Sequence, residues 1–417
     1  MTTGDPIVIV GAALTGGTAA AALRHEGFDG PITLIGAEPR HPYERPPLSK
    51  SLLRGETPFD EALVNPEASY ADEGIELRLG MRATAIDPRR RRVTMHDGEE
   101  VPFERLLLAT GARNRRFPIP GLDLPGVHAL RTVEECEAIR ADADSGSRAV
   151  VAGMGFIGSE VAASLRRLGV EVTAIDGGAV PLERVLGPEV GRVLAGIHRD
   201  HGVRLVSNDR LRAFEGSGRV ECAVTASGER LGCDFAVVGL GVEPATELAV
   251  AAGLQVDNGI LVDARFRTSE EGIFAAGDVA NLDHPLFGRR LRVEHWQNAR
   301  KQGRAAALAM LGAGAPFDEV PWFWSDQYDH NIQYAGHHTE WDDFVVRGSL
   351  DDRSFLGFYR KDGRVQSVVG MNRGSDVLQA AALIRSGGLA DPDLLRDDDL
   401  PVRSLGGAEA AHGGPHP

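Results

Sequence analysis

Four apolar residues in succession, Ile7 to Val10, run into a glycine-rich corner and then an alanine-rich stretch, the whole reading IVIVGAALTGGTAAAALR from Ile7 to Arg24. An unbroken apolar run of this length predicts a short strand buried on both faces, as in a parallel sheet covered by helices. The alanine and leucine run beyond the corner predicts a helix. The same order returns around Ala149, in AVVAGMGFIGSEVAASLRRLGVEVTAID. Each copy has a β-branched run, a glycine corner, a helix, a glycine turn and a second strand closed by an acidic residue, Glu38 in the first and Asp176 in the second. Two such βαβ units predict an α/β fold with two Rossmann-like domains, binding two dinucleotides.

Elsewhere the period changes. From Gly74 to Ala112 apolar and polar positions alternate, with turn signals at DPRR and HDGE, which predicts a small antiparallel meander. A second meander is predicted from Val203 to Pro244, and ADADSGSR, Ala141 to Arg148, reads as a surface loop ahead of the second βαβ unit. From Pro321 the texture becomes WFWSDQYDHNIQYAG and further short strands, predicting a separate C-terminal α+β domain. The expected boundaries are 1–112 and 242–320 for the first nucleotide domain, 113–241 for the second, 321–400 for the C-terminal domain and 401–417 for a disordered tail.

Composition narrows the classes. A chain of 417 residues, 42% hydrophobic and 25% charged, buries a large core in two or three domains. Its net charge of −15 disfavours wholesale attraction to nucleic acid or to an anionic membrane, although local basic patches stay open. No apolar stretch approaches the ~20 residues of a membrane span, and Met1 is not followed by a secretion signal. The three cysteines, Cys136, Cys222 and Cys233, form no CxxC pair, so neither a metal knuckle nor a redox dithiol is indicated and a reduced, cytoplasmic setting is expected.

Gly153, Gly155 and Gly158 make a complete GxGxxG between strand and helix, with Asp176 about 20 residues further on. The first glycine serves the tight turn, the second the approach of backbone to a pyrophosphate, and the third the packing of helix on strand; the helix N-terminus adds partial positive charge. Asp176 is expected to accept from the adenosine ribose hydroxyls and to repel a 2′-phosphate, favouring NADH, with Arg184 the nearest arginine that could answer one. The first corner reads Gly11, Ala13, Gly16, with a methyl group where the backbone should approach phosphate. On its own it fits either a nucleotide site or a plain strand and helix. FAAGDVA, with Gly277 and Asp278, is equally compatible with a strand end capped by aspartate.

At this point several motifs converge. LLLATGA (Leu106 to Ala112), VVGLGVEP (Val237 to Pro244) and FAAGDVA, flanking two βαβ units in this order, resemble the two-dinucleotide flavoprotein family that includes the disulfide reductases. RPPLSK (Arg45 to Lys50), RVLGPEV (Arg184 to Val190), WQNARKQGRAAALAMLG and VPWFWSDQY are similar to the branch that serves oxygenase ferredoxins. The resemblance implies FAD at the first corner, NADH at the second and a C-terminal domain that covers the flavin. It implies that Gly11, Ala13, Leu14, Thr15 and Gly16 cradle FAD, with Glu38 on its ribose, Arg45 and Lys50 along it, a backbone contact at Ala83, and Arg131, Gly277, Asp278 and Trp296 completing the site. For NADH it implies Gly153, Gly155, Phe156, Ile157, Gly158, Glu160 and Asp176, with Gly241 and Glu294 closing the pocket.

The disulfide-reductase branch needs a CxxxxC pair beside the flavin, and no cysteine precedes Cys136 here. A dithiol relay is excluded, so electrons must leave FAD directly; the resemblance implies that they go to a two-iron two-sulfur ferredoxin, itself the donor to a haem monooxygenase or ring-hydroxylating dioxygenase. Lys50 is expected to be catalytic by stabilising negative charge on reduced flavin, together with Glu160; the alternative for Lys50 is a solvated surface cation. Among the aromatics Trp322 is assigned to packing and Trp324 to shielding the flavin. His337 and His338 lack further ligands at metal spacing, so no metal is expected. The arginines at 89–92, at 113, 115 and 116, and at 289, 290 and 292 read first as solvated turns. A reductase of this net charge nevertheless needs a local positive patch for an acidic ferredoxin, and Arg289, Arg290 and Arg292 are the candidates. A monomer or weak dimer is expected. Rubredoxin reductase, an NADH oxidase or diaphorase, and a flavin-bearing redox sensor of the apoptosis-inducing-factor type remain as other readings of the same scaffold.

Overall fold

The computed structural model describes residues 5–405; residues 406–417, most of the stretch expected to be disordered, lie outside them. The chain divides into two compact units, the first formed by residues up to 46, 58–113 and 242–319, the second by 47–57, 114–241 and everything from 320 onward. In chain order the α-helices among the described residues are α1 (Leu14–His25), α2 (Glu67–Asp72), α3 (Val133–Ser145), α4 (Phe156–Arg167), α5 (Glu183–Asp200), α6 (Glu247–Ala251), α7 (Trp296–Met310), α8 (Gly374–Arg385) and α9 (Pro392–Arg396).

The first unit is built on a five-stranded parallel sheet, ordered Ile273–Ala275, Arg105–Leu108, Ile7–Val10, Ile32–Ile35, Ile75–Arg78. Every residue of Ile7–Val10 is buried, as the unbroken apolar run requires of a central strand. Helices α1 and α7 lie against each other so closely that a Cβ on Gly303 would overlap the Thr15 carbonyl, and the Thr15 hydroxyl donates to the Ala299 carbonyl at 3.2 Å. The first meander forms as an antiparallel sheet of Ala83–Asp87, Arg92–Met95 and Glu100–Pro102.

In the second unit the parallel sheet runs Arg204–Ser207, Glu171–Asp176, Arg148–Ala152, Phe235–Val238, Val127–His128. The second meander is the antiparallel Leu211–Glu215, Cys222–Thr225, Arg230–Gly232. The C-terminal part is an antiparallel sheet ordered Trp322–Gln327, His330–Gly336, Arg364–Met371, Ser354–Lys361, Asp343–Ser349, with α8 packed on its inner strands. Helix α5 breaks at Gly187, where φ is +74°, and restarts at Pro188; the Tyr359 hydroxyl donates to the Leu186 carbonyl at the break, 2.7 Å away.

Three expectations need correcting. Ala141–Ser145 is the last turn of α3 and not a loop, because the Asp142 carboxylate is held by His128 and Arg219 and the Ser145 hydroxyl bonds back to the Ala141 carbonyl. Residues 401–405 do not begin a disordered tail: Val402–Ser404 is a 3₁₀ turn, with Val402 and Leu405 buried. Trp322 is not a core residue. It shares the half-exposed face of its strand with Trp324, the two rings stacked at 5.5 Å, while Phe323, Ser325 and Gln327 point to the buried side.

Candidate active site

At the first corner, a Cβ on Gly11 (φ +118°) would overlap the Ala109 carbonyl, and one on Gly16 would overlap the Gly11 carbonyl. These glycines bring strand and helix into direct backbone contact. Helix α1 starts at Ala13 with no side-chain cap and no acidic residue in its first turn, which contains Leu14, Thr15 and Gly16. Its leading N–H groups and dipole are thereby directed at whatever occupies the corner. Gly277 (φ +81°) sits against Thr15, and its N–H donates to the buried Gln302 side chain at 2.8 Å, which sets the position of Asp278 beside α7. Glu38, just past its strand, bonds Arg45 at 2.6 Å and the Tyr43 hydroxyl, so carboxylate, guanidinium and phenol form one polar edge. Ala83 is carried by the meander, which Met81 ties to the same corner through its N–H to the Gly36 carbonyl. Trp296 opens α7, with the Arg300 guanidinium 5.3 Å from its ring. Glu294 pairs with Arg292.

The second corner repeats this construction in the second unit. A Cβ on Gly158 would overlap the Gly153 carbonyl, and α4 also begins without side-chain cap or first-turn acid. By contrast α3, which follows Arg131, carries a full Thr132/Glu135 capping box, so its N-terminus is closed by its own side chains. Asp176 accepts from Met154 N–H at 2.6 Å and Gly178 N–H at 2.7 Å, one bond to each carboxylate oxygen. Phe156 packs edge-on against Phe323, and Ile157 is 45% exposed at the helix start. Gly241 has φ +94°, at the start of the chain's return to the first unit. Sequence spacing missed Arg210, whose side chain lies over Gly177, next to Asp176. Its signal is tertiary: the 208–210 turn hydrogen-bonds the 176–178 turn, Asn208 N–H to the Gly178 carbonyl.

Lys50 belongs to the 47–57 excursion that joins the second unit. There its ammonium meets the Glu160 carboxylate at 2.6 Å, the two side chains 13% and 5% exposed. Ser49 donates to the same carboxylate oxygen at 2.5 Å, and Ser325 donates to the other at 2.7 Å. One turn along α4, the Ser164 hydroxyl donates to the Ser49 carbonyl and accepts from Arg54, fastening the excursion to the helix. A solvated surface lysine, the alternative reading of Lys50, does not describe this buried pair. Burial pushes the Cys136 thiol up to about 11 and Cys233 to about 12, which makes both poor nucleophiles.

The docking candidates fare differently. Arg290 donates to the Val262 and Asn281 carbonyls, and Arg292 bonds Asn258, Glu294 and the Asp278 carbonyl. Both guanidiniums thus also serve the fold, while Arg290 remains exposed and Arg289 half-buried on the strand Arg289–Leu291.

Two nucleotide corners, each with bare helix amides and an acidic residue at the end of the second strand, suit two dinucleotides. Residues 5–303 match the pyridine nucleotide-disulphide oxidoreductase family, and residues 322–406 match the reductase C-terminal family. The chain belongs to the pyridine nucleotide-disulphide oxidoreductases. Members of this family similar to it over nearly their full length include the ferredoxin–NAD(+) reductase component of the anthranilate 1,2-dioxygenase system of Burkholderia cepacia, 42% identical across 96% of this chain and 99% of the relative. Rhodocoxin reductase of Rhodococcus erythropolis is 38% identical across 95% and 93%. Among solved structures, the reductase in the covalent putidaredoxin reductase–putidaredoxin complex superposes with a TM-score of 0.94, at 36% identity, covering 98% of this chain and all of that one. The family uses FAD and NADH, and the uncapped starts of α1 and α4 leave amides that suit a pyrophosphate at each corner.

Proposed function

We propose that this oxidoreductase is an NADH-dependent ferredoxin reductase, supplying single electrons to a two-iron two-sulfur ferredoxin of a haem monooxygenase or ring-hydroxylating dioxygenase. The observation that carries this reading is a full pair of dinucleotide corners with no cysteine at the first, in a chain similar end to end to ferredoxin reductases. FAD supplies the chemistry, accepting a hydride from NADH and releasing the two electrons separately.

The protein's residues bind and orient. Amides of Leu14, Thr15 and Gly16 would hold the FAD pyrophosphate, and Glu38, fixed by Arg45 and Tyr43, would accept from its ribose. At the second corner the α4 amides would hold the NADH pyrophosphate. Asp176, held by two backbone amides, accepts from the adenosine ribose and repels a 2′-phosphate. In the second unit Glu160 holds the Lys50 ammonium in place, a fixed positive charge that would stabilise a reduced cofactor.

For the ferredoxin, α7 adds a basic stripe to the candidates at 289–292. Trp296, Arg300 and Arg304 follow one another at i, i+4, i+8 on a single helix face, and both arginines are exposed. An acidic ferredoxin is the complement of that stripe. The three cysteines are free, which accords with the reducing cytoplasm. Among the described residues no helix is long and apolar enough to cross a membrane.

The test is direct. The purified protein is expected to be yellow with bound flavin, and to reduce cytochrome c with NADH far faster when ferredoxin is added. Absence of flavin would end the proposal, turnover indifferent to ferredoxin would favour an oxidase, and equal rates with NADPH would remove the role given to Asp176.

A further inference from the structure

Behind the Lys50 and Glu160 pair lies a buried row of polar side chains that ordinary packing does not require. Ser325, Gln327 and His198 are fully buried, and Glu160 is 4% exposed. Ser325 Oγ meets Glu160 Oε1 at 2.7 Å; Gln327 Nε2 meets Ser325 Oγ at 3.3 Å; Gln327 Oε1 meets His198 Nε2 at 3.1 Å; and His198 Nδ1 meets the Tyr328 hydroxyl at 3.2 Å. All these residues belong to the second unit.

The carboxylate dictates the direction of every link. It can only accept, so the Ser325 hydroxyl gives it the proton. Ser325 must then accept from the Gln327 amide nitrogen, which leaves the Gln327 oxygen facing His198. His198 therefore carries its proton on Nε2, and its Nδ1 accepts from Tyr328. Burial pushes the His198 imidazolium down to about 4, with the Gln327 contact opposing and nearby His201 adding to the fall, so the neutral ring this arrangement needs is the stable one at neutral pH. The far end is immobilised as well: His201 stacks on the Tyr328 ring at 3.6 Å and Arg167 donates to the Tyr328 carbonyl.

We propose that Tyr328, His198, Gln327 and Ser325 form a one-way hydrogen-bond wire that fixes the Glu160 carboxylate and, through it, the position of the Lys50 ammonium during hydride transfer. These are positioning residues. They act on the cofactor only through Glu160 and Lys50, so the inference rests on the role proposed for that pair. Every donor in the wire points toward the carboxylate, and such chains polarise one another in a low-dielectric interior. Cutting the wire near Glu160 releases one oxygen to turn, and the ammonium with it.

The experiment uses the FAD-loaded full chain. Labelled with ¹⁵N-histidine, it is expected to show neutral His198 with the proton on Nε2; a proton on Nδ1 overturns the wire whether or not any variant folds. Ser325→Ala is expected to slow reduction of the flavin by saturating NADH about tenfold, the loss of one hydrogen bond to a charged group. The KM for NADH should hold while the flavin midpoint potential shifts, and Ser325→Thr should restore both. Gln327→Leu, close to isosteric and one link further out, should give a smaller change in the same direction. A merely structural role would lower thermal stability and leave the potential alone, and wild-type potential and reduction rate in Ser325→Ala would overturn the proposal. Glu160→Gln and Lys50→Met separate the two readings. If they leave rate and potential as in wild type, the role of the pair falls; if they alter both while Ser325→Ala does not, the wire alone falls.

Discussion

Ala13 stands where the dinucleotide fingerprint has its second glycine, yet its φ of −119° and ψ of −159° are extended backbone that any residue adopts. Its counterpart Gly155 has no atom within 4 Å of where a Cβ would lie. Neither corner needs glycine there to fold, in contrast to Gly11, where a side chain would be both strained and in collision. The middle glycine of the fingerprint is a statement about ligand approach alone. Ala13→Gly should therefore change unfolding free energy by less than about 1 kcal/mol while slowing flavin release on dilution, followed by recovery of flavin fluorescence. Faster release would mean that the methyl group aids the site. At this scale the sequence was legible in where Asp176 and Glu38 stand, at the end of one strand and just past the end of the other. It was silent on Ser49 and Ser325, which reach Glu160 across 111 and 165 residues of chain, and on Arg290, whose carbonyl partners no local pattern announces.

Among elements, the buried strands and glycine corners were legible because their signals are short and unbroken. Segment ends were not, because side chains from elsewhere decide them. Asp142, a poor helix residue by propensity, stays helical through His128 and Arg219. The polar run DPDLLRDDDL carries no strong period, but Arg347, 1% exposed on the strand Asp343–Ser349, donates to the carbonyls of Leu394, Leu395 and Leu400 and straps α9 and its continuation to the sheet. Burial lowers the pKa of that guanidinium, with Asp398 opposing the fall. Arg347→Met keeps the apolar stem and leaves three carbonyls without their donor. It should cost about 3 kcal/mol or more in urea unfolding, and a loss below about 0.5 kcal/mol would show that water replaces the strap without penalty.

For the molecule as a whole, a net charge of −15 repels an acidic protein at a distance, so productive encounter depends on where the cations are gathered. The α7 stripe is the place to alter. Arg304 has only a long 3.4 Å contact with Glu26, and Arg300 leans on Trp296. Reversing both to glutamate should raise the KM for ferredoxin about tenfold at low ionic strength and flatten its dependence on added salt, while NADH-driven flavin reduction is unchanged. A KM and salt dependence equal to wild type would exclude α7 from docking. The fold class and the paired nucleotide domains were readable from the repeat of one βαβ pattern, whereas the assignment of residues 47–57 to the second unit was not, since eleven residues within RPPLSK and its continuation carry no period of their own. That interleaving orders biosynthesis. The first sheet needs its edge strand Ile273–Ala275, and its cofactor corner needs Gly277, but the ribosome delivers both only after the whole of 114–241 has emerged. The first sheet is therefore completed only late in translation, after a stretch of the other unit as long as 114–241 has already left the ribosome.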